Sequence, residues 1–238
     1  MFKSVTLNYI KDYSWYLQGF LANQFQGAHL KRLGVIEGTL ILVEKDLNNK
    51  NVLLNKMKDL CYLKQAYITK GKYRGWMTLS DKEEEQRRQI HHFFNEVLSI
   101  NWLLDNGYTQ PTFVQTKKNK TPDIQVYDVG KNNYWIEVKT IDRPRSEEDK
   151  LRSRRIFLSC PKNNLDYLSL LTKVEEKIYD ASKKFKNLKD NKILIIFYNT
   201  DLISSFEYST PSLDSLLGRK FFKQKESKYN FRIIRLVN

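Results

Sequence analysis

Cysteine, histidine, proline and glycine are all sparse in this sequence, and acidic residues are few beside basic ones; each shortage removes a class of protein. There are two cysteines, Cys61 and Cys160, far apart and without clustered histidines. That excludes a disulfide framework and the usual zinc modules, so both are expected to be ordinary buried thiols. Three histidines and no Gly-x-Ser-x-Gly elbow leave no relay for a serine or cysteine nucleophile. The Cys/His set of a zinc deaminase is missing, as is the Gly-x-x-x-x-Gly-Lys loop of an ATP-driven motor. No run of about eighteen apolar residues occurs and the first residues lack a basic segment followed by an apolar one. A cytoplasmic protein without membrane contact is the expectation.

What is present is positive charge. Lysine and arginine number 41 against 27 aspartates and glutamates, giving a formal charge of +14, which favours polyanions, with nucleic acid ahead of anionic membrane. The hydrophobic share of 41% over 238 residues is enough for a packed core, in one large domain or two small ones. There are no repeats and no low-complexity linker.

The most informative stretch is 121–140, TPDIQVYDVGKNNYWIEVKT. Two alternating runs, 124–129 and 134–138, flank the turn-rich Gly130-Lys131-Asn132-Asn133, which predicts a β-hairpin. One run opens with Pro122-Asp123 and the other closes with Glu137-Val138-Lys139. Side chains alternate along a strand, so Glu137 and Lys139 share a face and Val138 takes the other. If the pairing brings Asp123 beside that end of the hairpin, two carboxylates and an ammonium converge. Hard cations such as Mg²⁺ take carboxylates, water and phosphate, and a neighbouring ammonium holds developing charge or helps deprotonate water.

These residues resemble the two-part signature of the PD-(D/E)XK nuclease superfamily, which includes restriction, recombination and repair nucleases. Pro122-Asp123 and Glu137-Val138-Lys139 match it, and Glu96, upstream in a predicted helix, matches the acid that many members place before the hairpin. The resemblance spans roughly 81–198. It implies an α/β fold with a restriction-endonuclease-like core, a mixed central sheet flanked by helices. It also implies catalytic roles for Glu96, Asp123, Glu137 and Lys139. Mg²⁺, with Mn²⁺ as a substitute, would be held by Asp123, Glu137 and the carbonyl of Val138. Double-stranded DNA is the substrate it implies, restriction or other mobile-element defence the commonest role, and a homodimer or a larger nucleoprotein complex the assembly. A non-catalytic nucleic-acid-binding protein or scaffold subunit on the same fold is the competing expectation.

Around the hairpin the chain reads as follows. Residues 1–79 suggest a smaller β-rich domain for substrate recognition or a partner, with strands at 4–10, 35–43 and 51–54 and a helix as the other reading of 13–25; residues 80–238 form the catalytic domain. Aromatics such as Tyr9, Trp15, Tyr67 and Trp76 mingle with lysines there, a mixture that can stack bases. A helix over 82–106 is predicted by Ile90, Phe93, Phe94, Val97, Ile100 and Leu104, with Ser80 and Glu83 as a capping box, Gly107 as its stop and Glu96 at the margin of its apolar stripe. Adjacent His91 and His92 diverge by about 100° and cannot line one metal site, although His92 stands one turn from Glu96. A first strand is expected at 113–117. Lys117, Lys118 and Lys120 at the mouth of the site, and Arg143, Arg145, Arg152, Arg154 and Arg155 in the charged loop after it, are the candidate phosphate contacts. A helix over 165–185 (Leu168, Leu171, Val174, Ile178, Ala181, Phe185) precedes the apolar run 192–198, KILIIFY, which reads as a strand buried on both faces. The tail holds a basic cluster, Arg219, Lys220, Lys223, Lys225 and Lys228, and a last strand at 231–237.

Overall fold

Apolar residues spaced three and four apart, rather than alternately, decide how the described chain begins. The computed structural model describes residues 26–69, 81–114, 121–141, 167–198 and 213–237. In chain order these form α1 (Gln26–Val43), α2 (Leu47–Thr69), α3 (Asp81–Asp105), β1 (Thr109–Phe113), β2 (Ile124–Tyr127), β3 (Asn133–Ile141), α4 (Tyr167–Phe185), β4 (Asn191–Tyr198), α5 (Leu213–Leu217), α6 (Arg219–Tyr229) and β5 (Arg232–Val237). The class is α/β: a five-stranded mixed sheet, in the order β1-β2-β3-β4-β5, flanked by helices. The chain divides into two compact units, one of residues 1–119 with 123–133 and the other of residues 120–122 with 134–238.

The first unit corrects the β-rich reading over its described part. Residues 35–43 and 51–54, expected as strands, lie in α1 and α2. The buried positions of α1 are Ile36, Thr39, Leu40 and Val43, a helical spacing, while the apolar residues Val35, Ile41 and Leu42 are exposed. Thr39 fits the helix by donating its hydroxyl to the carbonyl of Val35 at 2.8 Å. The expected strand at 4–10 and helix at 13–25 lie outside the described residues. Both α1 and α2 pack on α3, so the boundary drawn near Leu79 falls inside this unit. Cys61, expected to be buried, is exposed on α2.

Helix α3 follows its predicted stripe at Phe93, Phe94, Val97 and Ile100, all buried, but closes on Leu103 rather than on Leu104, which is half-buried. It ends at Gly107, whose φ of 83° few other residues adopt without strain. Tyr108 N–H donates to the Leu103 carbonyl and Gly107 N–H to that of Leu104, so the last carbonyls are satisfied. Strand β1 starts four residues earlier than expected and holds Pro111, which a strand at the edge of a sheet tolerates. Asn49, fully buried, satisfies that edge. Its amide nitrogen donates to the carbonyls of Pro111 (2.9 Å) and Val43 (3.1 Å), and its oxygen accepts from Phe113 N–H (2.6 Å). Strands β1 and β2 run antiparallel. The predicted turn after β2 is held by Asp128, whose carboxylate accepts from the backbone and side-chain amides of Asn132 at 2.9 Å each. A Cβ on Gly130 would lie 3.1–3.2 Å from those same side chains, which is why glycine suits the turn.

In the second unit β3, β4 and β5 are parallel neighbours, and α4 lies between β3 and β4 in the chain, the crossover that parallel pairs require. Six consecutive residues of β4, Ile193 to Tyr198, are buried, as the apolar run predicts. Helix α4 buries Leu170, Val174, Ile178, Ala181 and Phe185 in one cluster with Leu194, Ile196 and Tyr198 of β4 and Ile141 of β3. Full burial of such side chains stabilises by about 1.5–3 kcal/mol each. Arg235 of β5 closes the far side with a bidentate pair to Asp214 (2.9 and 3.1 Å), its guanidinium 4.9 Å from the Phe222 ring centre.

Candidate functional site

Parity along β3 places the candidate residues. Ile141 belongs to the cluster under α4 and Trp135 packs against it. Residues 137 and 139 have the same parity, so Glu137 and Lys139 lie on the face that α4 covers. In the parallel register Glu137 sits beside Leu194 and Lys139 beside Ile196, both fully buried apolar neighbours. A carboxylate has therefore been built into an apolar layer, and its side chain is 0% exposed.

Burying a carboxylate there costs several kcal/mol unless charge and hydrogen bonds offset it. The offset comes from two lysines. Lys139 Nζ lies 2.6 Å from Glu137 Oε1, and Lys184 Nζ, reaching across from α4, lies 2.7 Å from the same oxygen. Their side chains are 19% and 17% exposed, so each stays partly in reach of water while meeting a fully buried carboxylate. Lys184 stands in the last turn of α4, where the helix dipole favours a cation. Two cations therefore converge on one oxygen of a buried anion.

The structure thus brings Glu137 and Lys139 together and adds Lys184, which the spacing of its helix did not single out. Lys184 lies between the stripe residues Ala181 and Phe185, which sets it near the sheet, but spacing along the helix does not say which strand residue it meets. Val138, on the opposite parity, is buried. Asp123 belongs to the first unit, immediately before β2. It is half-buried, and its backbone carbonyl accepts from Val114 N–H at 2.9 Å, which fixes the chain just ahead of the strand. Glu96, also of the first unit, is half-buried on α3 between buried Asn95 and Val97, at the edge of the packed stripe as its spacing implies. His92 is half-buried one turn away. Lys117, Lys118 and Lys120, and Arg143, Arg145, Arg152, Arg154 and Arg155, lie outside the described residues.

The donor chemistry fits a hard cation. Among the described residues no group of three or more His, Cys, Asp or Glu side chains is gathered to hold a metal. Mg²⁺ does not need such a cage, since one or two carboxylates with water and substrate phosphate suffice. Glu137 supplies a carboxylate in a water-poor layer and the strand supplies carbonyl oxygen; nothing in this set prefers a soft metal.

On the second unit's surface, Arg219, Lys220, Lys223 and Lys228 are exposed along α6. Arg219 pairs with Asp214 at 3.6 Å, and Lys225 pairs with Glu175 of α4. Among the described residues no helix is long and apolar enough to cross a membrane. Comparison with family models, with curated proteins and with solved structures finds no match to this chain.

Proposed function

We propose that the chain is a Mg²⁺-dependent endonuclease that hydrolyses phosphodiester bonds of double-stranded DNA, on a restriction-endonuclease-like core. The observation that carries this reading is the wholly buried carboxylate of Glu137 with the Lys139 ammonium 2.6 Å away, on β3, the second strand after Pro122-Asp123. A buried acid is a costly feature to keep, and a site that must present fixed charge to a phosphate gives it a use. Asp123, Glu137 and the Val138 carbonyl would hold Mg²⁺ or Mn²⁺. When bound, the cation supplies Lewis-acid stabilisation of charge on the scissile phosphate and lowers the pKa of water. Lys139 orients the attacking water and holds charge that develops on the phosphoryl oxygens. Glu96 would add a further carboxylate, the role that the resemblance implies for it. The exposed cations of α6 and the +14 balance support a polyanionic substrate. The biological role that goes with this reading is mobile-element defence or DNA processing in the cytoplasm, by a homodimer or a larger nucleoprotein complex.

One observation favours a second reading. Glu137 is already matched by two ammonium groups, which is what a purely structural ion cluster would show. On that reading the chain binds nucleic acid without cutting it. A supercoiled plasmid separates the two. Cutting in Mg²⁺ or Mn²⁺ that EDTA stops, and that Asp123→Ala and Lys139→Ala each reduce by at least about 100-fold, supports the nuclease. Salt-sensitive binding with no cutting under any divalent cation supports the second reading.

A further inference from the structure

Lys184 is the one member of the buried cluster that the hairpin does not supply. It comes from α4, and it meets the same carboxylate oxygen that Lys139 meets, at 2.7 and 2.6 Å. Its neighbour Lys183 has a different surrounding: 47% exposed, 3.6 Å from Asp180 and 4.1 Å from the centre of the Tyr179 ring. The inward reach of Lys184 is therefore particular to that residue. Two ammoniums thus meet one oxygen of one carboxylate in a layer lined by Leu194 and Ile196. A divalent cation that takes up the same carboxylate meets two like charges at contact distance, in surroundings that screen them poorly.

We propose that Lys184 is the resident counter-cation of this site: its ammonium occupies the Glu137 carboxylate in the absence of a divalent cation, and cation entry displaces it. Two features suit Lys184 to that part. It reaches Glu137 from a different element, across the layer, whereas Lys139 stands two residues from Glu137 on the same backbone. Its partial exposure gives the displaced ammonium a short route to water. The arrangement keeps a buried acid matched when the site is empty, and it makes cation affinity a difference between two occupants of one carboxylate. The inference rests on the metal-site reading above, and it makes Lys184 a positioning residue.

Reciprocity supplies the test. If the ammonium and the cation compete, removing one must strengthen the other. Mn²⁺ binding by electron paramagnetic resonance is measured on the full chain and on Lys184→Gln, Lys184→Arg and Glu137→Gln. Lys184→Gln is expected to bind Mn²⁺ about fivefold tighter, the low end of ordinary coupling, Lys184→Arg close to wild type, and Glu137→Gln to lose the site. A merely structural lysine would leave the affinity of Lys184→Gln unchanged or weaker, and that result overturns the inference while leaving the nuclease reading standing. A wild-type chain that binds no Mn²⁺ overturns both. A second measurement needs no variant: acetylation of Lys184, followed by mass spectrometry, is expected to rise several-fold when Mn²⁺ is added, with Lys183 as the internal reference. Equal labelling of Lys184 with and without Mn²⁺ overturns the displacement.

Discussion

Replacing Glu137 by glutamine removes the charge that two lysines share, and the cost follows from their positions. Both ammonium nitrogens touch one oxygen, so they are at most about 5 Å apart. Two unit charges at that distance repel by about 3 kcal/mol at an effective dielectric of about 20. Side-chain exposures of 17% and 19% admit some water and let the stems swing outward, which lowers the figure. The expected loss is about 2–3 kcal/mol, at the low end of what breaking a buried pair on one side costs. Lys184→Met should cost less, about 1–2 kcal/mol, because Glu137 keeps Lys139. Urea unfolding followed by circular dichroism and tryptophan fluorescence reads both; Trp135, which donates to Asp190 at 3.0 Å, reports from the same unit. The reasoning fails if Glu137→Gln falls within about 0.5 kcal/mol of wild type, or if Lys184→Met is the more damaging of the two.

Three other substitutions probe the frame and the surface. Ile178→Ala empties a fully buried position of α4 and should cost about 2–5 kcal/mol in the same unfolding experiment. Asn49→Leu takes the partner from the Pro111 carbonyl and the Phe113 N–H at the sheet edge, while the Val43 carbonyl keeps the Asp46 N–H, so a loss of about 2–4 kcal/mol is expected, with faster hydrogen exchange at Phe113. The triple change of Lys220, Lys223 and Lys228 to glutamine should leave stability unaltered but make DNA binding less salt-dependent, lowering the slope of log K against log salt by about 2–3 units.

The parts of the fold that were legible in the sequence are those where one period dominates. The runs around Gly130, the stripe of Phe93, Val97 and Ile100, and the unbroken apolar 193–196 each admit one arrangement. In residues 35–43 two periods coexist: Val35, Ile41 and Val43 fall on an alternation, and Gly34 and Gly38 look like turn residues. Burial settles it through Ile36, Leu40 and Val43, a set that only a helix turns to one side. Strand β1 was misplaced because Gln110-Pro111 reads as a break, whereas the edge strand accepts the proline and Asn49 supplies partners to the backbone beside it. Of the site, the sharing of a strand face by Glu137 and Lys139 was legible from parity alone. Lys184 was not, because its contact depends on which face of the sheet α4 crosses, and that is tertiary information.

The central claim is that Asp123 and Glu137 share one divalent cation, and Fe²⁺ in place of Mg²⁺ tests it on the polypeptide itself. With ascorbate and peroxide, a bound Fe²⁺ breaks the backbone of the residues that hold it, and the fragments are read by mass spectrometry. The account predicts paired breaks, next to Asp123 and next to Glu137-Val138, both suppressed by excess Mg²⁺ and both lost in Glu137→Gln. Breaks at only one of the two places, or a pattern that Mg²⁺ leaves untouched, would contradict it.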